Sequence, residues 1–541
     1  MTDDLVCHNG TIWTGTGDTV DALTVRNGRI AALGADRAAG SDVRRVDLRG
    51  GFLMPAFGDG HAHPIFAGLE RGRLSLTGCT SVAEVVEAVR QYAARHPADP
   101  WVVGGGYQPA IAPDGRFDAT WLDAALADRP VVLRASDLHT VWCNTEALRR
   151  AGITAATPDP RRGRVLRRAD GRPLGTLLEQ DACDLVLDLV PAPEPAALVR
   201  AVREAGEVYA ASGVTWVQDA WIEPGNGMVD AYLDVAASGA PLVRVSIALR
   251  ADPESWRDQR AVMRRERAGV AGAGVGDLVT LRTVKFFADG VIETGTGALL
   301  EPYDDDRRSF GIPLWRADGL ADAVAAFDGD GFQVHIHAIG DAAVRAALDA
   351  IEHASRSNPR WDRRPVIAHA QLVDPSDLPR FARLGVIANF QPLWAQLDPC
   401  QVELTIPRIG SGRAGLQYPI RTLLDSGTPV SFGSDWPVSS PKPLDGIRVA
   451  VTRQTEDGDP TGGWLPHQRL DVAAALAAYT AGSAYQAFAE TDRGTLLPGA
   501  AADLVHLDRN PLAVEPAELA DLRVEHTWLA GRTTYDAEGH R

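Results

Sequence analysis

FQVHIHAIGDAAVRAALDAIEHASRSNPRWDRRPVIAHAQ (332–371) reads as one strand–helix–strand unit. FQVHIHA (332–338) and VIAHAQ (366–371) are short apolar strands, and DAAVRAALDAIEHA (341–354) between them carries a helical pattern. A strand returned to a second strand through a helix implies a parallel pair. Working outward, the same alternation recurs. FLMPAFGDG (52–60), VTWVQDA (214–220), LVRVSIAL (242–249), LRTVKFFADG (281–290), VIANFQP (386–392) and VSFGSDWP (430–437) are further candidate strands, most followed by helical stretches. Eight such units predict an α/β chain whose core is a (β/α)8 TIM-type barrel rather than an open sheet.

Two parts of the chain do not fit a bare barrel. The gap between the first two strands far exceeds a βα connection, so residues 70–195 are expected to be an inserted subdomain over the C-terminal face, a lid that bears on the substrate. Both ends read as short strands separated by polar turns, with Asn27-Gly28 a strong hairpin signal. Neither end has enough strands to cover a hydrophobic face alone. Residues 1–52 with 488–541 are therefore expected to form one composite β-sandwich domain, and 53–70 with 195–487 the barrel.

The 541 residues are 45% apolar, enough for a sizeable core, and carry a net charge of −17. That balance repels phosphate backbones and anionic lipid, so the expected partner is a small-molecule substrate, with no nucleic acid and no membrane. A homodimer is the assembly considered. Five scattered cysteines without a CxxC spacing argue against a zinc–thiolate site. The acidic MTDDLVCHNG start is unlike a signal peptide, and no apolar run approaches a membrane span, so a cytoplasmic location is expected.

Asp59-Gly60-His61-Ala62-His63 ends the first barrel strand. Residues two apart on a strand face the same side, so both imidazoles can reach one cation. HxH alone is a weak signal, and His335 and His337 repeat it. What strengthens it is that His337, His369 and Asp435 end strands five, six and eight, in a chain with 13 histidines. Buried histidines and aspartates are costly unless paired or coordinated. Lys285 lies inside strand four, flanked by Phe286 and Phe287. It suits either a Schiff base or a CO2-derived carbamate bridging two cations, and the carbamate fits the histidine cluster better. The expected cofactor is a divalent metal, one or two ions, with zinc the ion that suits these ligands. Phe390, Gln391 and Trp394 lie at the end of strand seven, where they can shape a substrate pocket or simply pack; the same two readings apply to Trp221 and Trp436. Asp341 reads as a helix cap.

Motifs along almost the whole chain resemble the amidohydrolase superfamily, and within it the family 3 amidohydrolases of the YtcJ and N-substituted formamide deformylase type. They are PAFGDGHAHP (55–64), DLHTVWCNTEAL (137–148), VKFFADG (284–290), QVHIHAIGDAAV (333–344), IAHAQLV (367–373), VSFGSDWPV (430–438) and GTLLPGAAADLVHLD (494–508). The usual DSH opening of the family is DGH here. The resemblance implies metal ligation by His61, His63, carboxylated Lys285, His337, His369 and Asp435, with Asp435 also the general base. It marks His139 as a substrate contact or as a residue closing the insertion onto the barrel, and Glu179 as structural. His335 is an extra histidine, read as tuning or packing.

The activity implied is hydrolysis of an amide, N-formyl or related C–N bond of a small molecule by a metal-activated water. Metal-dependent hydrolysis of an ester, carbamate or cyclic amide, and deamination, are the alternatives. A non-catalytic binding protein on the same barrel and a Schiff-base aldolase centred on Lys285 are more remote.

Overall fold

The computed structural model describes residues 4–34, 43–239, 242–316 and 318–539. Its centre is a barrel of eight strands, β1 (Phe57–Ala62), β2 (Val214–Ile222), β3 (Arg244–Arg250), β4 (Val279–Phe287), β5 (Gln333–Ala338), β6 (Val366–His369), β7 (Ile387–Phe390) and β8 (Val430–Phe432). Each runs parallel to the next. Seven of the eight coincide with strands expected from periodicity, and β1 covers only the second half of the first expected one. The helix Asp341–Ser357 joins β5 to β6 and buries Ala343, Val344, Ala347, Leu348, Ile351 and Ala354, one stripe at helical spacing. Its cap position is taken by Gly340, whereas Asp341 is its first residue and accepts from Leu300 N (2.9 Å) in the loop after β4. The capping expected of Asp341 is thus replaced by a loop anchor.

The first expected strand is in fact two. Phe52–Pro55 pairs antiparallel with Leu504–Leu507, whereas β1 starts at Phe57 and pairs with β2. Pro55 has no N–H to donate, and the chain changes sheets directly after it. Ala56 N donates to Asp503 O (3.0 Å), and Phe57 N to Gly213 O (3.0 Å).

Strands from both ends of the chain make one mixed sheet. Its order is Arg532–Asp536, Val524–Leu529, Leu504–Leu507, Phe52–Pro55, Leu5–Trp13, Thr19–Arg26 and Arg29–Leu33, with Arg44–Asp47 beside Leu5–Trp13. It encloses a core of its own that includes Leu5, Ile12, Leu23, Leu53, Leu504 and Trp528. The Asn27-Gly28 hairpin has positive φ at both residues (49° and 75°), as a type I′ turn requires. The segment between β1 and β2 carries a six-stranded sheet with Tyr107, Phe117 and Trp142 packed beneath it. Among the described residues no helix is long and apolar enough to cross a membrane.

The ladder between β8 and β1 is completed beyond the end of β8. Asp435 N donates to His61 O and His63 N to Trp436 O, both at 2.7 Å. Fully buried Asp59 reinforces this seam. Its carboxylate accepts from Ser434 N (2.9 Å), Ser434 Oγ, His61 N (3.2 Å) and Tyr209 OH (3.3 Å), so β1, the turn after β8 and the helix Pro195–Ala211 meet on one side chain. Gly60 follows from the same crowding. A Cβ there would stand 2.4 Å from Asn389 Nδ2 and 2.9 Å from both Gln486 Oε1 and Phe432 O, so a larger residue at this position requires the barrel interior to shift. Asp59→Ala would strand several buried donors and is expected to lower unfolding free energy by about 2–4 kcal/mol. Asp59→Asn should fall between it and the wild type in urea-unfolding midpoint. A midpoint for Asp59→Ala equal to wild type would show that the seam does not depend on this carboxylate.

Candidate metal centre

His61, His63, Lys285, His337, His369 and Asp435 converge at the C-terminal ends of the barrel strands, all buried. His61, His369 and Asp435 each offer a ligand atom within 4.8 Å of the other two. His63 Nε2 lies 2.9 Å from Asp435 Oδ1, Lys285 Nζ 3.3 Å from His61 Nε2, and the His337 ring 4.5 Å from the His369 ring. The six residues expected from the sequence are therefore brought to one place.

The hydrogen bonds behind the imidazoles decide which nitrogen faces the centre. His369 Nδ1 is 2.7 Å from Gln391 Oε1, an acceptor only, so Nδ1 carries the proton and Nε2 keeps its lone pair. His337 Nε2 faces Gly290 O at 3.1 Å, so Nε2 carries the proton and Nδ1 keeps its lone pair. His61 Nδ1 lies 2.7 Å from His335 Nε2. His61 Nε2 is left towards Asp435 Oδ1 at 3.4 Å. Burial holds His61, His335 and His337 well below the usual histidine range and brings His369 down to about 3, so these rings are neutral, the form that ligates. Burial would raise the Asp435 carboxyl, but His63 beside it, together with His369 and Lys285, outweighs burial and holds the group below its usual value. Burial brings the Lys285 ammonium down to about 7, and its Nζ lies 4.5 Å from the centroid of the Phe287 ring.

Backbone strain also aims the donors. His369 and Asp435 both adopt left-handed φ (75° and 56°), which a non-glycine residue takes at a cost of about 1–3 kcal/mol. The site fits a divalent cation. Asp435 Oδ1 is buried without a well-aligned hydrogen bond, and the Nε2 atoms of His63 and His61 lie 2.9 and 3.4 Å from it. An N/O donor set of this kind suits zinc.

The insertion supplies the roof. His139 lines the cavity above the centre, its ring 5.1 Å from His337. Its Nδ1 lies 2.9 Å from Glu179 Oε2, while Glu179 Oε1 accepts from Thr296 Oγ1 in the loop after β4. Burial opposes protonation of His139, but the Glu179 carboxylate overrides it and raises the imidazole to about 9. Glu179 thus clamps insertion to barrel while setting the charge of His139. The cavity is about 1030 Å³ and is walled in part by Trp394, Trp436 and Gln371. Trp394 stacks on His369 with ring centroids 5.3 Å apart. Gln391 is buried behind His369, with Nε2 donating to Asn389 Oδ1 (2.9 Å). Phe390 is core. Trp221 packs edge-on to Phe287 and His63.

Sequence reasoning missed the roles of Asp59 and Asp289. Asp289 is fully buried and accepts from Ala298 N, Ile339 N and Gly340 N at 2.8–3.0 Å, holding the loop after β4 against the end of β5. An acid two residues beyond the Phe286-Phe287 pair was the available signal.

A family model described as the amidohydrolase family matches residues 44–535. The chain belongs to the amidohydrolase family. It is 29% identical to the putative amidohydrolase YtcJ of Bacillus subtilis (strain 168), over 98% of this chain and 99% of that one. It is 26% identical to the N-substituted formamide deformylase of Arthrobacter pascens, over 99% of both chains. Among solved structures, an uncharacterized metal-dependent hydrolase from Pyrococcus horikoshii OT3 shares the fold at a TM-score of 0.73 and 24% identity, covering 95% of this chain and 99% of that one. This amidohydrolase thus shares the fold of a solved metal-dependent hydrolase over almost its whole length.

In this amidohydrolase Gln391→Leu removes the acceptor that fixes the His369 tautomer. The expected outcome is an unchanged fold with zinc affinity lowered about 10–100-fold, read by chelator competition. Equal affinity in the variant and the wild type would detach Gln391 from the centre.

Proposed function

We propose that this chain hydrolyses the C–N bond of a small-molecule amide, of the N-formyl or a related type. The observation that carries the reading is the convergence of neutral imidazole nitrogens on Asp435 Oδ1 at the floor of a cavity roofed by His139. His61, His63, His337, His369 and Asp435 would hold the cation, zinc being the ion this donor set suits. A divalent cation held there acidifies a water and polarises a carbonyl oxygen.

The residues of the chain account for the rest. Asp435 accepts the proton of the attacking water and then gives it to the leaving nitrogen. His139, with Nδ1 bound to Glu179, presents Nε2–H to the substrate carbonyl oxygen. Trp394 offers a flat apolar wall beside His369 for the acyl or amine part, and Gln391 supports that wall through His369. Lys285 is proposed to carry a carbamate, formed when its neutral amine adds to CO2 and loses a proton. A bare ammonium 3.3 Å from His61 Nε2 would repel any cation held by that nitrogen, whereas a carbamate supplies anionic oxygens. The deformylase similarity favours a small acyl group such as formyl.

Purified protein is expected to contain about one to two equivalents of divalent metal, and elemental analysis showing metal-free protein that cannot be reconstituted would overturn the proposal. Asp435→Asn should lower turnover of a formamide by about a hundredfold or more while metal content is largely retained. Lys285→Ala should lose metal and activity together, with partial rescue by a short carboxylic acid. Wild-type turnover in Asp435→Asn would remove it as the base.

A further inference from the structure

One side of the cavity holds a recess that the proposed chemistry does not use. It is formed by the short turn Ile292–Thr294 after β4 and by the π-helical turn Gln401–Thr405, which runs into the helix Ile406–Ala414. Glu293, Asp398, Gln401 and Thr405 all line it. Single π-turns recur where a helix is reshaped around a ligand.

Acidic side chains dominate the recess. The Glu293 carboxylate has no side-chain partner among the described residues, and burial raises it to about 7, with Asp137 and Asp398 adding repulsion that His139 partly offsets. Asp398 accepts from Gln401 N (2.8 Å) and is also held above the usual carboxylate range by burial. Arg408 is close, but its guanidinium is spent on Asp305 (2.8 Å) and on the carbonyl oxygens of Glu293 and Asp114. Acids outnumber bases along the whole cavity wall, where the sole arginine among the described residues, Arg71, faces Glu204 at 3.9 Å.

A second observation points independently to a ligand. Gln401 Oε1 and Thr405 Oγ1 are buried and have no hydrogen-bond partner, although their residues are only 5% and 1% exposed. The Gln401 amide is oriented by Nε2, which donates to Tyr418 OH (3.2 Å), so Oε1 is the end left free. Buried polar atoms without partners are rare and costly. Two of them beside a cavity that also holds the Glu293 and Asp398 carboxylates describe a site built for a hydrogen-bond donor bearing positive charge.

We infer that this recess binds a protonated amine at the far end of the substrate, with Glu293 and Asp398 as counter-charges and Gln401 Oε1 and Thr405 Oγ1 as hydrogen-bond acceptors. The three N–H donors of an ammonium match such a set of separate acceptors. The substrate class is then an N-acyl or N-formyl diamine, or an amide whose acyl arm ends in an amine. His139 lies beside the His337 ring and lines the same cavity as Glu293, so one extended molecule can lie past it with its amide at the metal centre and its ammonium in the recess. The identity of the reacting end rests on the amide-hydrolase reading; the charged end rests on the recess alone.

The test separates the two. Binding of n-butylammonium, 1-butanol and butanoate to zinc-loaded protein is measured by calorimetry, for the wild type, Glu293→Gln and Thr405→Val, each checked by its melting curve. The expected result is that n-butylammonium binds the wild type at least tenfold more tightly than either other probe. Glu293→Gln should weaken it at least tenfold, and Thr405→Val by a smaller factor. Should Glu293→Gln fail to fold, Asp398→Asn is read in its place with the same expectation. Equal binding of n-butylammonium and 1-butanol, or equal binding of the cation by wild type and Glu293→Gln, would overturn the inference. In parallel, N-formyl diamines of three to six carbons are compared as substrates with N-formyl alkylamines of matching length. A higher kcat/KM for the diamine that disappears in Glu293→Gln supports the inference, and hydrolysis of the neutral series alone overturns it. Cation binding that depends on Glu293, in a protein that hydrolyses no formamide, would leave the recess standing and remove the amide-hydrolase reading.

Discussion

Two backbone hydrogen bonds, Asp435 N to His61 O and His63 N to Trp436 O, close the last seam of the barrel. The rest of the molecule depends on them because the same residues present their side chains to the centre. Closing the barrel and assembling the site are thus one event. Asp59 secures it from beneath by holding the turn that follows β8. The left-handed backbone at Asp435 is tolerated for the same reason, since a strained residue persists only where its surroundings over-determine its position.

Burial then sorts the charges. In a low-dielectric interior an isolated imidazolium is expensive, so the histidines at the centre stay neutral and keep the lone pairs that a cation requires. His139 is largely buried too, but it has Glu179 against Nδ1, and the paired carboxylate reverses the outcome. Two kinds of histidine therefore face each other across one cavity, acceptors below and a donor above. The polarity comes from their neighbours, because the side chains are chemically identical.

The inserted segment contributes more than cover. Glu179 from the insertion bonds Thr296 from the loop after β4, and Arg408 reaches from the helix Ile406–Ala414 to the carbonyl of Asp114 in the insertion. These cross-links set the cavity wall on both sides of His139. The loop after β4 is in turn held to the end of β5 by Asp289, through the backbone N–H groups of Ile339 and Gly340. Position is transmitted from barrel to roof through carboxylates that are bonded on both sides.

The eight barrel strands, the sheet built from both termini, the insertion and the six converging residues were legible in the sequence, because each depends on a local signal. Apolar runs of strand length, helical stripes such as Ala343–Ala354, and an HxH pair at a strand end can be read without knowing what lies opposite. The break of the first strand at Ala56 was not legible, since an apolar run shows no difference between one sheet and two. Neither were the partners that orient the ligands. His335 stands 274 positions from His61, and Gln391 looked like a pocket residue until its amide was found against His369 Nδ1. The same holds for Glu293, Gln401 and Thr405, ordinary loop residues in sequence, which acquire meaning from burial beside one another without partners. The sequence by itself determined which elements form and which residue types reach the strand ends, because periodicity is local. Only the tertiary structure decided tautomer, charge and the shape of the cavity, because those depend on which distant groups share a low-dielectric space.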